Sequence, residues 1–542
     1  LLHDPAGAEP LTTLWTELTG GPGDFESEVR AARRQLLAQN FVGELDAAAR
    51  SLLALARADL HTRDFSLASI RRVLTELLVH FPVYRTYAGT GGRDPLDEQV
   101  FERAASEARA CLRNADQPML EVIGGWLGGN APRSEMRELY LRAITRFQQL
   151  TPPLAAKSVE DTAFYRYGRL LSRNEVGADP GQFSLGIEAF HQLCGERAQR
   201  FPNNLLATAT HDHKRGEDTR ARLAILSEIP LQWGQTVRRW MALNGPLGAP
   251  RPYDELMLYQ ALVGAWPLEL TETDQEGLRA LVERIAQWQT KALREAKRAS
   301  DWALPDEAYE TACREFLFRI FDPDTNAVFI KELAAWVRRI APAGAVNSLS
   351  QTVLRLTTPG VPDLYQGTEL WDFSLVDPDN RRPVDHGLRR EMLARKTPSI
   401  DSLAGWQNGW IKQAIIHHGL ALRAREPELF AGGDYIPLAV EGARSPNVIA
   451  FLRRHQDHAA ITVTTRFPAG ITDIANLAID ETSAEPSVPE SAWEDTMLIL
   501  PDSAQLAWRD CFTGKRIQAD AGRLRLTDVF CLLPVALLHA LN

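Results

Sequence analysis

The chain has 542 residues, 45% of them hydrophobic and 24% charged, with a formal net charge of −10. Such a length and balance predict a globular protein of two to four domains. The acidic charge argues against nucleic acid as a partner, because binding a polyanion needs a concentrated basic face. Five cysteines, Cys111, Cys194, Cys313, Cys511 and Cys531, form no CxxC pair. Neither a disulfide framework nor a zinc site is therefore expected, and a reducing cytoplasmic location fits best. The longest apolar run, Val529 to Leu538, is broken by Pro534 and reads as a closing strand, not a membrane span.

In chain order, the sequence opens on Leu1-Leu2-His3-Asp4-Pro5 without Met, and it is expected to be a fragment that lacks an N-terminal portion. Residues 8–80 read as helices. Leu45, Ala48, Leu52, Leu53 and Ala56 recur at helical spacing, with Arg50 off that stripe. The basic clusters Arg30/Arg33/Arg34 and Arg294/Lys297/Arg298 read as solvated helix faces. Phe81 to Tyr87 reads as a strand, closed by the turn signal 89–92. Helix returns over 96–150, with Pro152-Pro153 as a stop. The aromatic run Phe164-Tyr165-Arg166-Tyr167 reads as core, in preference to a sugar-facing surface.

Leu205 to Thr210 is small, β-branched and uncharged, which predicts a strand buried on both faces. Dense charge follows at once: His211-Asp212-His213-Lys214-Arg215-Gly216-Glu217-Asp218. A buried strand ending in His-Asp sets polar groups at the edge of a core, where side chains of an α/β barrel do their chemistry. The alternative is that Asp212 only caps the next helix. Leu278, Leu281, Val282, Ile285 and Trp288 mark an amphipathic helix. A further helix from Asn347 leads to a short strand at Val361–Tyr365, and 386–425 reads as a final helix. From Asp434 the pattern alternates. Val448–Leu452 and Ala460–Thr464 flank the polar turn His455–His458 as a hairpin. Met497–Leu500 and Leu506–Arg509 add strands, and 482–490 reads as a loose surface loop.

The His211-Asp212 pair gains meaning from a second run. It starts Leu356-Thr357-Thr358-Pro359-Gly360-Val361-Pro362-Asp363-Leu364-Tyr365-Gln366-Gly367 and continues to Asp377-Pro378-Asp379-Asn380-Arg381-Arg382-Pro383. Together these resemble the maltooligosyltrehalose synthase family of the alpha-amylase superfamily. The resemblance extends to Val159–Tyr167, Phe81–Tyr87 and His3-Asp4-Pro5, and so covers nearly the whole chain.

The resemblance implies an α/β fold: a partial (β/α)8 barrel, later strands only, with large helical insertions and a C-terminal β-sandwich domain. The implied division is a helical insertion over 1–80, a barrel strand region over 81–95, and helical insertion with barrel helices over 96–200. The later part of the barrel, with its own insertion, would span 201–432, and the β-sandwich 433–542. The implied activity is intramolecular transglucosylation of a maltooligosaccharide, turning its reducing-end α-1,4 bond into an α,α-1,1 bond with retention. Helical insertions would wall the pocket against water.

By the same resemblance Asp212 is the catalytic carboxylate that grips the sugar as its ring flattens, and His211 bonds the same sugar. Lys214 either reaches the acceptor side of the cleft or lies on the surface. Asp377 and Arg381 either clamp a neighbouring glucose or merely pair across a turn. Retaining chemistry needs two carboxyl groups roughly 5–5.5 Å apart. The family's nucleophile and acid/base have no matching motif here, since the one Arg-x-Asp, Arg57-Ala58-Asp59, falls in a helical stretch. The chain alone is expected to be inactive. No cofactor and no metal are expected: His211 and His213 show no further ligands, and His417-His418 reads as structural. A maltodextrin hydrolase and a non-catalytic glucan-binding fragment are the competing readings.

Overall fold

Helix starts fall where the sequence supplies caps. Asp24, Ser66 and Asp94 each accept a backbone N–H three residues on, opening the helices Phe25–Gln39, Leu67–Val79 and Pro95–Cys111. These belong to a computed structural model that describes every residue except 90, 130–133, 246–247, 395–398, 473, 475–484, 502–506 and 542. The chain divides into two compact units. One is Pro22–Tyr167 with Leu293–Leu304; the other comprises Leu1–Gly21, Gly168–Ala292 and Pro305–Asn542. No helix among the described residues is long and apolar enough to cross a membrane.

The first unit is helical. Leu45, Ala48, Leu52 and Ala56, the stripe read from sequence, are buried with Leu74, Leu78 and Phe147 in one core. Three sequence readings are corrected here. Phe81–Tyr87 forms no strand. Phe81 is drawn into the helical core, edge-on to Phe101 at 5.4 Å and Phe147 at 5.2 Å, while the Tyr87 N–H is taken by the Asp97 carboxylate. Pro152-Pro153 does not stop its helix, which runs Arg137–Val159 because Leu150, Thr151, Leu154, Ala155 and Ser158 continue one buried face across it. The basic clusters are solvated only in part: Arg34 is exposed, whereas others of them are drawn inward. Arg33 is buried and donates to the Val79 carbonyl, Lys297 Nζ donates to Asp161 O and Thr162 Oγ1, and Arg298 pairs with Glu28. Each cation meets carbonyls or carboxylates that lie distant in sequence. The run Phe164-Tyr165-Arg166-Tyr167 is core, as read.

The second unit mixes helix and sheet. Strand β1 (Leu205–Leu206) pairs parallel with β2 (Val361–Pro362), and between them the chain passes through a series of helices. The reading of Leu205–Thr210 as a strand buried on both faces is corrected. β1 is two residues long and Leu205 is 72% exposed. A parallel strand is covered on both faces only inside a wider sheet, and β2 is its one sheet neighbour among the described residues. The reading of Val361–Tyr365 is likewise shortened to two residues.

The C-terminal strands are β3 (Asp434–Pro437), β4 (Val440–Glu441), β5 (Val448–His455), β6 (His458–Thr465), β7 (Met497–Ile499), β8 (Ala507–Asp510), β9 (Arg516–Gln518), β10 (Arg523–Arg525) and β11 (Val535–Ala540). They form a six-stranded sheet in the order β3-β5-β6-β11-β8-β9 and a three-stranded sheet β10-β7-β4. Both sheets feed one core: Val448, Ile461, Val463, Ala536 and Leu538 from the larger, Leu498 and Leu524 from the smaller. Period-two alternation sends Ala460, Val535 and Leu537 to the opposite face, against the helices Pro323–Thr357 and Trp410–Arg425. The hairpin read at His455–His458 is present, with those two residues paired across its end. The closing strand is shorter than read, because Leu526–Val529 forms a helical turn before Pro534. Residues 482–484 and Leu506 lie outside the described residues; within the rest of the expected loose loop, Val488 is buried.

Candidate functional site

The site is built on the segment immediately after β1. The chain leaves the strand at Ala207 and turns at His211-Asp212, where the Asp212 N–H donates to Thr210 Oγ1 at 3.2 Å. The next residues are held from below. The Glu175 carboxylate, buried, accepts the backbone N–H groups of Lys214 (2.9 and 3.1 Å) and Arg215 (3.1 Å). Gly216 comes next, and only a glycine fits: an added Cβ would stand 2.5 Å from the Asp372 carbonyl oxygen. The helix Glu217–Ala224 then begins with three consecutive buried side chains, Glu217, Asp218 and Thr219.

Beneath the loop lies a buried charge network. Lys412 Nζ is 2.7 Å from both Glu217 Oε1 and Asp218 Oδ2, and Arg355 Nη1 is 2.7 Å from Glu217 Oε2. Thr208 Oγ1 bonds both Glu217 and Arg355, which ties the network to the end of β1. Burial works to raise the Glu217 carboxyl, but Lys412 and Arg355 outweigh it and hold it at about 2. In Asp218 burial prevails and the carboxyl is raised. Lys412 is raised, since its two carboxylates outweigh its own burial.

The candidate side chains gather at the loop. Asp212 is 47% exposed, so it projects from the packed interior, and Lys214 Nζ lies 3.6 Å from its Oδ1. Lys214 is only 2% exposed, which overturns the surface reading of this residue. His211 is exposed, and its carbonyl accepts from Asn380 Nδ2 at 3.1 Å. That bond joins the His211 turn to the loop carrying Asp377 and Arg381. Asp377 Oδ1 is 2.5 Å from Lys291 Nζ, and Arg381 is a longer partner at 3.7 Å. Burial works to raise the Asp377 carboxyl, but Lys291, Arg381 and Lys214 together hold it below the usual carboxylate range. Asp379 is clamped by Arg284 through Nε and Nη2, both at 2.9 Å. His213 is buried, with Nε2 3.1 Å from Ser374 Oγ, and shares no metal-type cluster with His211 among the described residues.

Sequence reasoning missed Glu175, Lys291, Asn380 and the Glu217–Asp218–Lys412 network. Glu175 precedes the loop by some forty positions, and Lys291 precedes Asp377 by more than eighty, so no local spacing announces either. The one local signal was Glu217-Asp218 at a helix start, where acidic residues are ordinary.

A cavity of about 510 Å³ opens beside β1, lined by His3, Glu175, Leu206, Thr208, Arg220 and Arg355 among others. Asp212 is not part of its lining.

No family model matches the chain. A putative maltooligosyl trehalose synthase of Mycobacterium tuberculosis is 32% identical over 541 residues, covering 99% of this chain and 61% of that protein. The solved structure of maltooligosyltrehalose synthase from Arthrobacter ramosus aligns with a TM-score of 0.79 at 32% identity, again over 99% of this chain and 61% of that one. Another solved maltooligosyl trehalose synthase aligns with a TM-score of 0.70 at 25% identity, over 98% and 60%. The chain spans about three-fifths of the length of these relatives. Along nearly all of its own sequence the chain is similar to these maltooligosyltrehalose synthases.

Proposed function

We propose that this chain supplies part of the active site of an intramolecular transglucosylase, which turns the reducing-end α-1,4 bond of a maltooligosaccharide into an α,α-1,1 bond. The observation that carries the reading is the gathering of Asp212, Lys214, His211, Asp377 and Arg381 at one loop pair, in a chain homologous to synthases of that name. β1 and β2 are read as neighbouring strands of a (β/α)8 barrel, since parallel pairing across a helical crossover is what such a barrel repeats. On this reading the helical stretches before residue 200 are insertions, and residues 433–542 are the appended β-sandwich.

Asp212 acts as the carboxylate that bonds adjacent sugar hydroxyls. A bond that strengthens as the ring flattens towards an oxocarbenium ion lowers the barrier as well as aiding binding. Lys214, held 3.6 Å away, orients that carboxylate. Asp377 and Arg381 bind the next glucose. The other carboxylates of the cluster are committed: Glu175 to backbone N–H groups, Asp377 to Lys291, Asp379 to Arg284. The nucleophile and proton donor are therefore assigned to neither of these loops, and the 542-residue chain is expected to turn over nothing by itself. Its five cysteines are all free, which supports a reducing cytoplasmic setting.

Incubation with maltopentaose tests the proposal. The chain alone should leave it unchanged, and an active longer form should consume reducing ends while preserving mass. Release of maltose or glucose as the main product would favour a hydrolase, and binding without reaction in every form would favour a glucan-binding module.

A further inference from the structure

In the helical unit, the end of one helix meets the end of another through three groups of metal-binding chemistry. Glu76 and His80 lie one turn apart where the helix Leu67–Val79 ends, and Cys111 is the last residue of the helix Pro95–Cys111. Cys111 Sγ is 3.5 Å from His80 Nε2, and Glu76 Oε2 is 3.7 Å from the same nitrogen. All three potential ligand atoms lie within 4.8 Å of one another.

The other face of the imidazole is organised as well. His80 is 3% exposed, and its Nδ1 lies 3.2 Å from Glu107 Oε2, a carboxylate also held by Arg30 at 2.8 Å. A carboxylate accepts, so Nδ1 carries a proton, and in the neutral imidazole the Nε2 lone pair then faces Cys111 and Glu76. A carboxylate behind an imidazole is the arrangement that fixes the tautomer of metal-binding histidines.

The spacing agrees with a specific ion. Zinc bonds of about 2.3 Å to sulfur and about 2.0–2.1 Å to nitrogen, set at a tetrahedral angle, hold S and N about 3.5 Å apart. Arg34 Nη2 also donates to Glu76 Oε2 at 2.7 Å, and a carboxylate has lone pairs for both partners. Glu76 and Cys111 line a cleft of about 540 Å³, which leaves room for water as a fourth ligand.

We propose that Glu76, His80 and Cys111 form a zinc site in the helical unit, completed by water. The thiolate and imidazole select zinc over magnesium or calcium, which prefer all-oxygen shells. On binding, the Cys111 thiol releases its proton to solvent as the Zn–S bond forms, so affinity rises with pH. The ion would pin the two helix ends together. The site is independent of the reading of Asp212.

The test uses the whole 542-residue chain, stripped with a chelator and reloaded with Co²⁺ or Zn²⁺ alone. About one equivalent of Co²⁺ should bind, with a thiolate-to-cobalt charge-transfer band that Zn²⁺ displaces. Cys111→Ser should abolish the band, and Glu107→Gln should weaken binding by about 10–100-fold. Because Cys111 is exposed, its alkylation by iodoacetamide, read by peptide mass, should slow in Zn²⁺ without any substitution. An unsubstituted chain that gives no band, a band that survives Cys111→Ser, or alkylation of Cys111 indifferent to zinc would each overturn the site.

Discussion

Behind the Asp212 loop, Lys412 bridges Glu217 and Asp218 with all three side chains at most 1% exposed. At its tip, Asp212 stands about half in solvent with Lys214 3.6 Å away. Both are carboxylate–lysine groups whose carboxylates lie within a few residues of each other, yet they have opposite consequences. The inner group has given up water on every side, so its charges are fixed chiefly by one another. The outer carboxylate keeps open lone pairs, and its lysine is long enough not to occupy them. Burial thus sorts the charges of one loop into those that set geometry and those free for chemistry.

That contrast breaks most sharply at Lys412. Lys412→Met leaves two buried carboxylates without their cation and should cost about 3–5 kcal/mol, seen as a lower urea midpoint at pH 7. An unchanged midpoint would mean that the inner group is not structural. Next comes Asp212→Asn in an active full-length form, where kcat should fall on the order of 10²–10³-fold with KM little altered. Stability should hardly move, because the side chain is half exposed. A variant that unfolds instead would erase the distinction between the two groups.

The Asp379–Arg284 clamp lies between the two extremes and can be separated by pH. Burial works to raise the Asp379 carboxyl, but Arg284 outweighs it and holds it below the usual range. A depressed folded value contributes stability that is present above the unfolded pKa, about 3.9, and is lost as pH falls through the folded value. Asp379→Asn should therefore cost about 1–3 kcal/mol at pH 7. The two proteins' urea midpoints should converge as the pH falls through that depressed folded value. Parallel midpoints down to that pH would assign the loss to packing. The smallest effect is expected at Arg381, which is 58% exposed and 3.7 Å from Asp377. Arg381→Ala should change stability by less than about 1 kcal/mol while raising KM for maltopentaose at constant kcat. A fall in kcat would place this arginine nearer the reacting bond than proposed.

The legible parts of the molecule are those where neighbours in sequence are neighbours in space. The hairpin of β5 and β6 follows from alternation across a short polar turn, and the stripe from Leu45 to Ala56 follows from the helical repeat. The loop sequence His211–Asp218 stands out as a candidate site because charge begins abruptly where the apolar run ends. Arg33, Lys297 and Arg298 were illegible for the opposite reason. A basic residue on a helical pattern looks solvated until the fold brings a distant carbonyl or carboxylate against it. Pro152-Pro153 misled similarly, since a buried face spanning the prolines overrode their local preference.

Contiguous residues were enough to specify the helical and alternating stretches, the position of the charged loop and the resemblance from which the role of Asp212 is proposed. Folding alone settled that Lys214 is buried beside Asp212, that Glu175 and Lys412 hold the loop from beneath, and that Cys111 comes to His80. All but the first join residues far apart along the chain, and the electrostatics of a charge depend on the partners and the water that folding leaves around it.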